Sequence, residues 1–114
     1  MQYQVKLTVL RRELYQDLMD EYIARPNAGK CSRFEDGQEF LIDRKAFGRA
    51  LDGQFCAEAW GCVSRYIYAG LQGGAFMRGW TKDEKVMITC CNDGVRPVIF
   101  KLERIDLPDE VETS

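Results

Sequence analysis

The segment "QYQVKLTVL" (Gln2 to Leu10) sets Tyr3, Val5, Leu7 and Val9 against Gln2, Gln4, Lys6 and Thr8. Strict period-two alternation admits one regular structure, a strand with one dry and one wet face. A strand of that kind needs other apolar surfaces to cover its dry side, and the rest of the chain must supply them. From Arg12 the pattern changes. Leu14, Leu18 and Tyr22 recur every four residues among Asp17, Asp20 and Glu21, which predicts a short amphipathic helix. Pro26 and Gly29 break it. "DGQEFLID" (Asp36 to Asp43) reads as a turn into a short strand, and "RKAFGRALDGQ" as a turn of helix followed by loop.

A second helix is expected over "FCAEAWGCVSRYIYAGL". Cys56, Trp60, Val63 and Ile67 form its apolar stripe, Asp52 its N-cap, and Gly70, Gly73 and Gly74 its end. After the long loop "GGAFMRGWTKDEK", two strands, "KVMITCC" and "PVIFKLERI", flank the hairpin signal "NDGVR". The order β-α-β-α-β-β, with one wet face per strand, predicts an α+β fold: a mostly antiparallel sheet with two helices packed on one face. The 114 residues form one domain over 1–106, followed by an acidic, flexible tail over 107–114.

Charge and cysteine content narrow the chemistry. With a net charge of −2 and a pI near 5.2, the chain lacks the basic surface that nucleic acid requires. No apolar run approaches the roughly 20 residues of a membrane span, and the N-terminus alternates where a signal peptide would be continuously apolar. A cytoplasmic location is expected. The five cysteines are an odd number, so one chain cannot pair them all, and a reducing compartment favours free thiols or metal ligands. Histidine is absent, which removes Ser-His and Cys-His dyads and imidazole metal sites.

Cys56, expected in the first turn of a helix, is a candidate for a stabilised thiolate; the plainer account makes it the head of the apolar stripe. Sharing a face with Val86 and Ile88, Cys90 is expected in the core. Cys91 is expected on the other face with Met87 and Thr89, with Asp93 two residues on; Asn92-Asp93-Gly94 is also hairpin chemistry in its own right. Arg96, extended before Pro97, would project from the hairpin to orient an anion or pair with Asp93. Gly73-Gly74 follows a helix and is not a phosphate loop. Trp60, Tyr66, Tyr68 and Trp80 could line a ligand pocket, but they are expected to pack the core.

The landmarks "Cys31…Gly37-Gln-Glu-Phe40", "Phe55-Cys56-Ala-Glu-Ala-Trp60", "Gly73-Gly74" and "Cys91-Asn-Asp93-Gly94-Val-Arg96-Pro97-Val98-Ile-Phe100" follow one another in this order. In them the chain resembles a family of small uncharacterised cysteine-containing proteins of anaerobic bacteria and archaea. The resemblance implies recurring cysteines at Cys31, Cys56 and Cys91, with Cys62 and Cys90 particular to this chain, and it carries no activity. If those three thiols converge, with Asp93 or water as fourth ligand, they would hold zinc or iron. Otherwise they would cycle between thiol and disulfide. The alternative is a non-catalytic module, such as a homodimer, that binds a ligand or protein through a surface around Phe76 and Trp80.

Overall fold

The computed structural model describes residues 2–108. The N-terminal alternation becomes β1 (Gln2–Arg12), followed by α1 (Gln16–Tyr22), β2 (Glu39–Ile42), α2 (Arg44–Gly48), α3 (Ala57–Leu71), β3 (Val86–Cys90) and β4 (Val98–Leu107). The four strands form one antiparallel sheet in the order β2-β1-β4-β3. This is the expected α+β architecture, with the short α2 as a third helix. The expected tail loses its first residue to β4, which runs to Leu107; positions 109–114 lie outside the described residues.

The inner face of the sheet carries Val5, Leu7, Val9, Ile42, Met87, Val98, Phe100 and Leu102, all buried. Ala59, Val63, Ile67 and Leu71 of α3 pack into the same cluster. Phe34, Phe55 and Phe100 close one end with edge-on and tilted contacts, their ring centroids 4.9 to 5.7 Å apart. Where Gly70 faces the sheet, a Cβ would stand 2.7 Å from Val5 Cγ2 and 2.8 Å from the Phe76 ring. The helix therefore sits closer to the sheet than any larger residue would permit.

Several local expectations are corrected. β1 runs on to Arg12, so α1 starts only at Gln16, and its buried residue is Met19; Leu18 and Tyr22 are exposed. Asp52 does not cap α3. It lies in a left-handed turn, where Ala50, Leu51 and Asp52 have φ of 48°, 57° and 53°, and Cys56 is the N-cap. Phe55 is buried in the aromatic cluster and Cys56 is extended, so the helix starts only after them. On β3 the faces are exchanged. Met87 pairs with Leu102 and Thr89 with Phe100 on the inner side, so Val86, Ile88 and Cys90 line the outer face and Cys90 is exposed. Tyr68 and Trp80 are exposed rather than core, while Phe76, expected at the surface, is buried.

The inner face of β4 ends in Arg104 and Asp106. The guanidinium Nε donates to Asp106 Oδ1 at 2.7 Å, while Nη1 donates to the carbonyls of Gly73 (2.7 Å) and Gly74 (3.1 Å). It also lies over the Tyr3 ring. Hydrogen bonds from Arg104 and then Lys85 lower the Asp106 carboxyl from 3.8 to about 2.

Two outcomes follow. Gly70→Ala destabilises by about 1–3 kcal/mol through overpacking. Gly61→Ala, on the open face of the same helix, stabilises by about 0.5–1 kcal/mol. Denaturant melts of the two variants read out the opposite signs. The Asp106 contribution is complete above the ordinary 3.8 and is lost as pH falls through about 2. Asp106→Asn therefore flattens that acid limb of a stability–pH curve, and an unchanged limb would contradict the assignment.

Candidate thiol site

Three loops and a helix start meet at one end of the sheet. Arg12, the last residue of β1, pairs with Val98 at the start of β4. Its Nη1 donates to the Cys31 carbonyl at 2.9 Å, and its backbone N and Nε donate to Asp36 Oδ1 at 3.1 and 2.9 Å. These bonds from Arg12 lower the Asp36 pKa. Cys91, just past β3, donates its N–H to the Val98 carbonyl at 3.2 Å and accepts the Val98 N–H on its sulfur at 3.4 Å. Cys56 caps α3, whose first turn is tied to the hairpin by a 2.8 Å bond from Asn92 Nδ2 to Glu58 Oε1. Cys31, Cys56 and Cys91 thus stand at the same end of the molecule, each half-buried at the edge of the core. Cys31 Sγ also accepts the Arg33 N–H at 3.4 Å. The Cys56 side chain makes no capping bond.

Asp93 and Arg96 shape the loop beneath Cys91. Asp93 Oδ1 accepts the N–H groups of Val95 (2.9 Å) and Arg96 (2.8 Å), which is the turn chemistry its sequence announces. Burial pushes its carboxyl up, but these N–H groups and the Arg96 charge outweigh that and leave it below the usual range. The Arg96 side chain folds back, with Nε 3.5 Å from Asp93 Oδ2 and Nη1 donating to the Gly29 carbonyl at 3.4 Å. Arg96 and Arg12 thereby hold the loop of Gly29 and Cys31 against the hairpin.

Cys62 is the residue that sequence reasoning set aside. It lies one helical turn, about 6 Å, beyond Glu58 on the same face of α3. Since Glu58 grips Asn92, and α3 and β3 run in opposite directions, that turn carries Cys62 back over the end of β3. Burial first, then the sulfurs of Cys91 and Cys90 and the Glu58 carboxylate, push the Cys62 thiol up. The signal lay in the helical spacing of Glu58 and Cys62, but only the Asn92–Glu58 bond shows which strand that face meets.

Among the described residues, no group of three or more Cys, Asp and Glu side chains is placed to hold a metal ion. Nor is any helix long and apolar enough to cross a membrane. Fold and site define a small α+β protein with a thiol-bearing end built from a helix cap, a hairpin and an arginine-tethered loop. Compared with family models, curated proteins and solved structures, the chain matches none.

The thiols differ in exposure and ionisation, so alkylation orders them. Iodoacetamide at neutral pH labels exposed Cys90 early and Cys62 last, and Cys62 labelling accelerates as pH rises through its raised pKa. Peptide mass spectrometry follows each site; equal rates at Cys62 and Cys90 would contradict this.

Proposed function

We propose that the protein acts through its thiol end by thiol–disulfide exchange, with Cys91 as the attacking sulfur and Cys62 as the resolving one. The observation that supports this is the Asn92–Glu58 bond beside Cys91, one helical turn from Cys62, together with the effect of the Cys91 and Cys90 charges on the Cys62 ionisation. The Cys91 thiolate attacks one sulfur of a small-molecule disulfide. The disulfide bond breaks, a mixed disulfide forms, and the leaving thiolate takes a proton from water. Cys62 then gives its proton to solvent and attacks the Cys91 sulfur, closing a Cys62–Cys91 bond and expelling the second thiolate, which takes a proton from water. Two electrons pass from the protein to the small molecule, which leaves as two thiols. Asp93 and Arg96 are positioning residues that hold the loop under Cys91, while Cys56 and Cys31 flank the pair.

Oxidised glutathione, added to the reduced chain, tests this reading. Peptide mapping is expected to find a Cys62–Cys91 link, and Cys91→Ser to abolish both the link and thiol release. Elemental analysis of the same anaerobically purified sample reads out the metal form of the site. About one zinc or iron per chain, with Cys31, Cys56 and Cys91 protected until chelator is added, would replace exchange by coordination. Five thiols that react only after denaturation would end both forms.

The binding-module reading rests on a different observation. An open groove of about 570 Å³ lies between Gly73-Gly74 and the following loop, lined by Arg78, Lys82, Lys85 and Arg104 and by the carboxylates of Asp83 and Glu84. In that reading the cysteines pack the core, and Cys91→Ser leaves ligand binding intact.

A further inference from the structure

The helix α3 covers the inner face of the sheet; among the described residues no helix shares a core with the outer one. Along β1 that outer face is polar, with Gln2, Gln4, Lys6 and Thr8, as an uncovered sheet would be, but along β3 and β4 it is partly apolar. β3 contributes Val86, Ile88 and Cys90 to it, and β4 contributes Ile99, Lys101, Glu103 and Ile105. Val86 stands beside Glu103, Ile88 beside Lys101 and Cys90 beside Ile99. On β1, Lys6 stands beside Glu103 and Thr8 beside Lys101, with Leu41 and Glu39 of β2 beyond them. Leu41 is 59% exposed.

From Ile99 to Ile105 the outward residues of β4 read apolar, positive, negative, apolar, with Leu107 beyond them. Reversed, that string of four is its own complement. A two-fold axis lying across the strands, at the level of Leu102, brings Ile99 against Ile105 of a second copy and Lys101 against Glu103 of that copy. The same axis sets Val86 against Ile88. No like charges oppose one another, because Lys6 faces Thr8 and Glu39 faces Leu41.

We propose that this outer face is the interface of a two-fold homodimer, with sheet packed on sheet. Both the apolar residues and the charge order call for a copy of the same surface, which is what an isologous contact requires. Its size is adequate. The ten residues of β4 span about 33 Å, and four strands about 4.8 Å apart make a face of roughly 500 Å² in projection. Side-chain relief carries its accessible area towards the roughly 800 Å² per partner of a standard interface. The charged centre makes the association dependent on salt.

Charge reversal tests the proposal on the full chain, with circular dichroism to verify folding. Analytical ultracentrifugation of the wild type is expected to show twice the chain mass of 13.1 kDa at high concentration. Lys101→Glu puts two carboxylates against each other and is expected to raise the dimer dissociation constant tenfold or more; Glu103→Lys does the same with two ammonium groups. Mixed together, the two variants are complementary again and form a heterodimer. The double variant Lys101→Glu/Glu103→Lys restores the homodimer within a single chain. A wild type that stays monomeric at about 1 mM would overturn the proposal. So would a Lys101→Glu chain that dimerises as well as the wild type, or a folded double variant that fails to pair.

Discussion

Everything in this fold hangs on the pairing of β1 with β4. The two strands form the centre of the sheet, matched from Gln2 with Leu107 to Arg12 with Val98, while β2 and β3 attach only to their outer edges. Leu7 meets Leu102 and Val9 meets Phe100 across this seam, so the sheet's share of the core is assembled only once β1 and β4 have met. Closing a loop of that length costs entropy before any contact rewards it, and non-local pairing of this kind folds slowly. The β3–β4 hairpin, with its seven-residue loop, and the helix α3 are the local structure available beforehand.

The same seam places the arginines that finish each end. An irregularity between Val9 and Arg11 adds one residue to β1. Because side chains alternate, that extra residue turns Arg12 to the inner side, opposite the buried Val98. From there its guanidinium reaches the Cys31 carbonyl and Asp36. At the far end, the inner-face alternation of β4 itself delivers Arg104 to the carbonyls of Gly73 and Gly74. In both places a planar donor fork holds a loop that has no strand or helix of its own to satisfy its carbonyls. The thiol end is one of these two closures, and its geometry depends on a single inserted residue in β1.

What the sequence made legible follows from how many readings each pattern allows. Tyr3 to Val9 alternate strictly, and only one strand orientation fits them. The stripe through Val63 and Ile67, the Asx turn at Asp93 and the glycine stop at Gly73 were legible for the same reason. "VMITC" was not, because both of its faces are apolar and alternation cannot rank them; the register with Phe100 and Leu102 decides. Asp52 carries the right side chain for a cap, but the left-handed turn and the buried Phe55 move the helix start past it. Cys62 was invisible as part of a site because its neighbours come from another element. Sequence spacing says which residues share a helix face, and only tertiary structure says what that face meets.

The ambiguity of "VMITC" carries information of its own. A strand at the edge of a half-covered sheet has one face to hide, yet Val86 and Ile88 are as apolar as Met87 on the buried side. Residues that read as core but lie on an open face are explained when a second surface covers them, and the complementary order of Ile99, Lys101, Glu103 and Ile105 is consistent with that surface being a copy of itself. Such a dimer packs the two sheets back to back, leaves both α3 helices outward and points the two thiol ends in opposite directions. Adjacent cysteines are then divided between two jobs. Cys90 belongs to the outer face, whereas Cys91 belongs to the closed end where α3 meets the hairpin, so association would leave the thiol site of each copy accessible.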